Sequence, residues 1–399
     1  MSDILKSLAS IASLSDQKSK IEQYRTLLQS ILVISEPEVL NAFIDHMLTD
    51  EVPLVVSRQL MMHFAQDLSR LSAEVFKPVA THALDRLQPR VVSFEEPVTL
   101  IREGLADQLE KEEQWSKAAG ILAGIDLDSG VRNVDTSYKL SKSIKIAMLY
   151  LEDEDPVNAE MYIKKAASLI GTCKAADLEL QYKVCYARIL DSKRRFLEAA
   201  LRYYELSLLS SQKAEGLTVD PEELIQSLGL AVTCTVLAPA GAQRSRMLST
   251  LYKDERSPQL PVYPLLEKVY LERILSRQEV EAFAKTLKSH QMALLPDGTT
   301  VLERAVMQHN ILSASKLYNN ISLQELGALL GVASERAESI SCDMISDGRL
   351  QASVDQVENM IHFHQGEVLL QWDAQIQSLC HKVNEIVDEA ANAGIKLSA

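Results

Sequence analysis

The chain has 399 residues, 47% hydrophobic and only 5% aromatic, enough for two or three domains with a substantial and mainly helical core. A formal net charge of −14 and a pI near 5.2 exclude bulk attraction to nucleic acid or anionic membrane and point to basic protein surfaces as partners. The first fifteen residues lack an apolar core with a cleavage site, and the longest apolar run, around residues 228–240, is interrupted and too short to span a bilayer. An intracellular protein with no membrane association is expected. Five cysteines, Cys173, Cys185, Cys234, Cys342 and Cys380, are far apart and odd in number without a C-x-x-C pair, so reduced, buried thiols are expected.

Residues 1–90 read as amphipathic helices carrying Ile4, Leu8 and Ile11, then Ile21, Leu28 and Leu32, then Val39, Phe43 and Met47, then Leu60, Phe64 and Leu68. Pro37, Pro53 and Pro78 fall where helices begin or are interrupted, which sets segments short enough to pair as antiparallel hairpins. PRVVSFEEP, ending at Pro97, is a connection. Beyond it, segments beginning at Trp115, Pro156 and Phe196 align through Ala119, Ala159 and Ala199 with a period of about 40 residues. Small residues there let paired helices approach closely, and the register is expected to continue through Ala242 and Ala282. Trp115 and the Tyr203–Tyr204 pair are expected in the repeat core. Such helix pairs make a right-handed solenoid of tetratricopeptide or HEAT type, each unit burying its apolar stripe against neighbours.

Asp155-Pro156 and Asp220-Pro221 supply N-caps with proline in the first turn, and Glu222 and Glu223 add acid at the positive helix end. Residues 253–264, with three prolines, form a long turn, after which residues 265–287 resume as helix. Pro296-Asp297-Gly298 makes the next break, and Thr300 with Glu303 caps the helix that follows. Three divisions follow: a solenoid over 1–290, a winged helix over 291–365 and a terminal helix over 366–399.

The winged helix is fixed by local sequence. Ser322 and Glu325 stand at capping-box spacing, so a helix starts at Leu323 and buries Leu323, Leu326, Leu329 and Leu330 before Gly331 stops it. A second helix over 333–347 carries Ala337, Ile340, Met344 and Ile345 on one face, with Gly348 free to take a left-handed C-cap. Leu350, Ala352 and Val354 alternate with polar residues, residues 355–358 turn, and residues 360–363 give a second apolar run, the hairpin that is the wing. The second helix holds Glu335, Glu338, Asp343 and Asp347 against Arg336 and Arg349, a face that repels phosphates. A protein-docking module is therefore expected rather than a nucleic-acid reader, with Leu350, Ile361 and His362 as candidate interface residues.

After the wing, Leu369, Trp372, Ile376, Leu379, Val383, Ile386 and Ala390 follow at spacings of three and four, a heptad seam. The opposite face is polar. Such a helix either folds back on its own winged helix or enters a bundle with helices of other subunits.

The chain lacks G-x-x-x-x-G-K-[ST], G-x-G-x-x-G and G-x-S-x-G motifs, so neither a nucleotide cofactor nor a nucleophile elbow is expected. His362 and His364 would share one strand face, but a zinc isopeptidase of the JAMM class needs a serine and an acid where this chain has Trp372 and Gln375. The pair is expected at the wing edge, with no metal, no cofactor and no catalytic residue. Asn320-Ile321-Ser322 matches a glycosylation sequon and is taken as a helix cap.

ISLQELGALLGV from Ile321 and AESISCDMISDGRL from Ala337, after a helical solenoid, resemble the PCI family of the proteasome lid, the COP signalosome and translation initiation factor three. LAPAGAQRSRMLSTLYKDER from Leu237, with the N-terminal helices and short tail, is similar to the signalosome branch, and the lid paralogue is the nearest alternative. That resemblance implies a non-catalytic scaffold in the complex that removes Nedd8 from cullin-RING ubiquitin ligases, in cytoplasm and nucleus. It further implies that the winged helix and terminal helix join other signalosome subunits, while the solenoid reaches the ligase.

Overall fold

A computed structural model describes residues 2–12, 16–68, 70–127, 135–171, 175–209, 220–364 and 368–392. They form two compact units that divide at Lys193. The first holds ten α-helices among its described residues: α1 (Ser2–Ala12), α2 (Gln17–Ile34), α3 (Pro37–Met47), α4 (Leu54–Leu68), α5 (Ala73–Leu87), α6 (Glu95–Lys111), α7 (Trp115–Ala123), α8 (Thr136–Glu152), α9 (Pro156–Ile170) and α10 (Ala176–Ser192). Each packs on helices one or two places away in the chain, the neighbour-only contact pattern of a solenoid.

The apolar stripes read from sequence are the core here: Leu8, Leu28, Val39, Phe43, Met47, Leu60, Phe64 and Leu68 are all buried. The polar groups inside this stack complete helix ends. Tyr24 donates to the Leu8 carbonyl at 3.3 Å and meets His46 Nε2 at 3.1 Å, while Lys20 Nζ donates to the Ala12 carbonyl at 2.8 Å, tying α1 to α2. Ser57 Oγ donates to the Met47 carbonyl at 2.6 Å and closes α3.

Two sequence expectations change in this unit. Pro78 lies inside α5 rather than at a boundary, because burial of Phe76, Val79, Ala80, Ala83 and Leu87 outweighs the one lost backbone hydrogen bond. The repeat register also shifts. Glu113, Glu154 and Arg194 all take left-handed φ, at 59°, 59° and 60°, two residues before a helix begins. That places Ala118, rather than Ala119, in line with Ala159 and Ala199, and all four alanines are fully buried. The same turn is held by Gln114 N–H to the Leu109 carbonyl and by Asp155 N–H to the Tyr150 carbonyl, both 2.9 Å.

The second unit contains α11 (Phe196–Ser207), α12 (Pro221–Leu237), α13 (Ala242–Tyr252), α14 (Tyr263–Tyr270), α15 (Arg277–Ala284) and α16 (Val301–Leu317). It continues through β1 (Asn320–Ser322), α17 (Leu323–Leu330), α18 (Ser334–Ser346), β2 (Ala352–Asp355), β3 (Met360–Phe363) and α19 (Val368–Asn392). Ala242 and Ala282 are exposed, so the small-residue register ends at Ala199. The helix expected over 265–287 is broken after α14. Glu272 turns left-handed (φ 53°), Arg273 N–H closes on the Lys268 carbonyl at 2.9 Å, and a Ser276–Glu279 capping box starts α15. The thiols divide: Cys185 and Cys234 are buried, with burial pushing Cys185 up to about 12, Cys342 is half-buried and Cys380 is exposed. Cys173 lies outside the described residues.

The far half of α12 is buried on every side, so its last carbonyls cannot reach water. Arg244, itself buried, donates to the Thr235 carbonyl at 3.0 Å and to the Val236 carbonyl at 3.1 Å. Opposite, α16 buries the polar run Gln308, His309, Asn310 and Ser313. Asn310 pairs with both backbone groups of Leu275, at 2.9 Å and 3.3 Å, and His309 Nε2 meets the Arg273 carbonyl at 2.8 Å, so α16 clamps the break after α14.

Burial and the neighbouring Arg244 push His309 down to about 4, so the folded ring stays neutral near pH 7. Below its unfolded value of about 6.5 the denatured chain binds a proton that the folded chain refuses, so this stability is present above that pH and is lost as pH falls toward 4. Urea unfolding across that window is expected to show a decline of up to roughly 3 kcal/mol that His309→Gln removes. Identical pH slopes for the two proteins would show that His309 titrates normally.

Candidate assembly interface

The winged helix grows from its caps. Ser322 Oγ accepts the Glu325 N–H at 3.2 Å and donates to Glu325 Oε2 at 3.1 Å, starting α17 where the spacing predicts. Gly331 ends it at φ 71°, and Val332 N–H returns to the Gly327 carbonyl at 2.9 Å. That turn passes so close to α17 that a Cβ on Gly327 would stand 2.8 Å from the Val332 carbonyl oxygen. α18 buries Ala337, Ile340 and Met344, then Gly348 turns at φ 68° so that Arg349 and Leu350 both donate to the Met344 carbonyl.

The sheet has three strands in the order β1-β3-β2, all antiparallel. β1 escaped the sequence reading because three residues are too few to display a period of two. Its presence relocates the histidines. β3 is central, with His362 opposite Asn320 on one side and Ser353 on the other, so His362 is not on an edge. His364 lies just beyond the strand, exposed, its N–H donating to the Gln351 carbonyl at 2.8 Å. The free edges are β1 and β2. Among the described residues no group of three or more His, Cys, Asp or Glu side chains converges as a metal site.

Leu350 and Ile361, named as interface residues from the hairpin pattern, are 4% and 0% exposed and join Leu323, Leu326, Met344 and Phe363 in one apolar cluster with Met307, Ile311 and Ala314 of α16. They build the core of the winged helix and are not exposed on its surface. At the wing tip, Asp355 accepts from Val357 N–H at 2.8 Å and Glu358 N–H at 3.1 Å, which holds its carboxyl below the usual range, and Val357 is 92% exposed.

The outer face of α18 is acidic in three dimensions as well as in sequence. Glu335, Asp343 and Asp347 are exposed, and Glu338 accepts from Gln356 Nε2 at 2.7 Å. Its basic companions are engaged within the chain: Arg336 donates to the Asp297 carbonyl at 3.2 Å, and Arg349 to Gln308 Oε1 at 3.0 Å and Asp347 Oδ2 at 2.5 Å.

α19 is a single helix. Trp372, Ile376, Leu379, Val383 and Ile386 of its seam are 47–64% exposed, so no described residue covers the stripe and the fold-back alternative finds no support in its packing. The side chains of Leu369 and Ala390 lie outside the described residues.

Ile361→Asp or Leu350→Asp buries an unpaired carboxylate and is expected to destabilise the second unit by at least about 3 kcal/mol, whereas Val357→Asp should change stability by less than about 0.5 kcal/mol. Chemical denaturation separates the two groups. A wild-type midpoint for Ile361→Asp would mean that the side chain can leave the core and face outward.

Comparison with known proteins agrees with these elements. A family profile described as PSMD12/CSN4, N-terminal, matches residues 3–215, the PCI domain matches 281–365, and the CSN4/RPN5/eIF3a helix turn helix domain matches 367–394. The last of these spans α19, which is one uninterrupted helix here. COP9 signalosome complex subunit 4 of Arabidopsis thaliana is 53% identical over 98% of this chain and 99% of its own length. Proteins of the same name from Drosophila melanogaster (45% identical; 94% of this chain, 91% of the relative) and Emericella nidulans (39%; 97% of each) are also similar. A helical-repeat N-terminal region, a PCI winged helix and near-complete coverage by these relatives place the chain in the COP9 signalosome complex subunit 4 family.

Proposed function

We propose that the chain is a non-catalytic scaffold subunit of a COP9 signalosome, the assembly expected to remove Nedd8 from cullin-RING ligases in cytoplasm and nucleus. The observation that carries this reading is the uncovered apolar seam of α19, which follows a PCI winged helix. A seam of this kind is stable in water only when other helices cover it. Five described side chains, each contributing about 1.5–3 kcal/mol on full burial, supply roughly 10 kcal/mol before association costs. The free edges at β1 and β2 offer a second contact, by strand addition to neighbouring subunits. The N-terminal solenoid is left to reach the ligase, where the acidic balance of the chain favours a basic surface. The chemistry would belong to another subunit.

The test is a stop after Gly366. The shortened monomer should keep its melting temperature, because α19 buries little of its own unit, yet it should no longer co-purify with signalosome subunits. A monomer that melts many degrees lower would mean that α19 packs on its own domain. Recovery of proteasome-lid subunits by the full-length tagged chain would replace the signalosome assignment with its paralogue.

A further inference from the structure

Within the second unit a cleft of about 460 Å³ opens over Phe196, Leu237 and Val301, with Arg194, Arg304 and Arg349 at its rim. Asp347 is the one carboxylate among the described lining residues, and Arg349 already bonds it at 2.5 Å. The other two guanidiniums are poorly satisfied. Arg304 approaches Asp297 only to 3.7 Å, beyond the roughly 2.7–2.9 Å of a charge-assisted hydrogen bond, and no carboxylate among the described residues pairs with Arg194. Arg194 is also held in the left-handed region (φ 60°), at the recurrent turn that starts α11.

With Arg349 and Asp347 paired to each other, Arg194 and Arg304 leave this lining with a positive balance in a chain whose net charge is −14. The volume lies within the range of about 300–1,000 Å³ typical of binding clefts, room for a short stretch of side chains. Guanidinium forks grip carboxylates in two-point fashion, so this rim selects acid at a defined distance from an apolar anchor.

We propose that the cleft docks an acidic peptide segment of a partner protein, with an apolar side chain on the floor and flanking carboxylates taken by Arg194 and Arg304. A nucleic acid fits less well. Exposed Glu335 and Asp343 on the outer face of α18 repel a long polyanion, whereas a short peptide held in the cleft meets only Asp347, which Arg349 already pairs. This surface is separate from the seam of α19, so its test is independent of the signalosome assignment.

A random octapeptide phage library panned on the full chain, with counter-selection against the Arg194→Glu/Arg304→Glu double variant, tests the proposal. The expected consensus is a Leu, Ile or Phe flanked by Asp or Glu. The synthetic consensus peptide should bind the double variant at least about tenfold more weakly, should bind less tightly as salt rises, and should lose binding when its acids become amides. If the reversal variant melts below wild type, Arg194→Gln/Arg304→Gln takes its place with the same expectation. Failure to select a sequence that distinguishes wild type from variant, a basic or uncharged consensus, or tighter arginine-dependent binding of oligo-uridylate would each overturn it.

Discussion

The second unit depends on α16 being buried on both of its sides. One side gives Met307, Ile311 and Ala314 to the core of the winged helix, and the other presents Gln308, His309, Asn310 and Ser313 where water cannot reach them. A helix in that position cannot leave a polar group unmatched without a cost of about 1–3 kcal/mol each. Its polar groups therefore fix their surroundings: Asn310 and His309 hold the break after α14, and Gln308 receives Arg349 from the end of α18. Arg244 does the corresponding work for α12 by capping carbonyls that would otherwise be orphaned in the core. The helical part of this unit and its winged helix are thus joined through α16, with Ala240 packing into the same apolar cluster.

The module so positioned spends its apolar hairpin residues on itself. Leu350 and Ile361 are needed to hold β2 and β3 against α17 and α18, which leaves backbone edges, acidic side chains and the wing tip for other molecules. The terminal helix is the reverse case, keeping a polar face and an apolar face that no described residue covers. An unpaired strand edge and an uncovered apolar stripe differ in what they leave unsatisfied, main-chain hydrogen bonds in the one case and apolar area in the other. The apolar cleft rimmed by arginine is different in kind, since it selects charge at a defined distance from an anchor.

The repeats show how a solenoid can keep phase without invariant glycine. Glu113 and Glu154 each accept a left-handed backbone, at a cost on the order of 1 kcal/mol, to close one helix and aim the next, and Arg194 takes the same φ before α11. The alanines five residues later then bring helices into close contact. Phase is set by these turns, and the spacing varies by one residue between repeats, which is why alignment on alanine alone slipped at Ala119.

Sequence alone determined the elements whose signals are local. The capping pairs Ser322–Glu325 and Thr300–Glu303, the stop glycines Gly331 and Gly348, the amphipathic stripes of α1–α4 and the heptad seam of α19 act over four to seven residues and need no distant partner. Tertiary structure decided what depends on distant residues: that Asn320–Ser322 becomes a strand and moves His362 to the centre of the sheet, and that Pro78 is tolerated within α5. It also decided that residues 271–276 break a continuous helical pattern and that Leu350 and Ile361 face inward. Strand pairing, buried polar clamps and the facing of a hairpin are set by groups brought together from far along the chain, and a one-dimensional period carries no record of them.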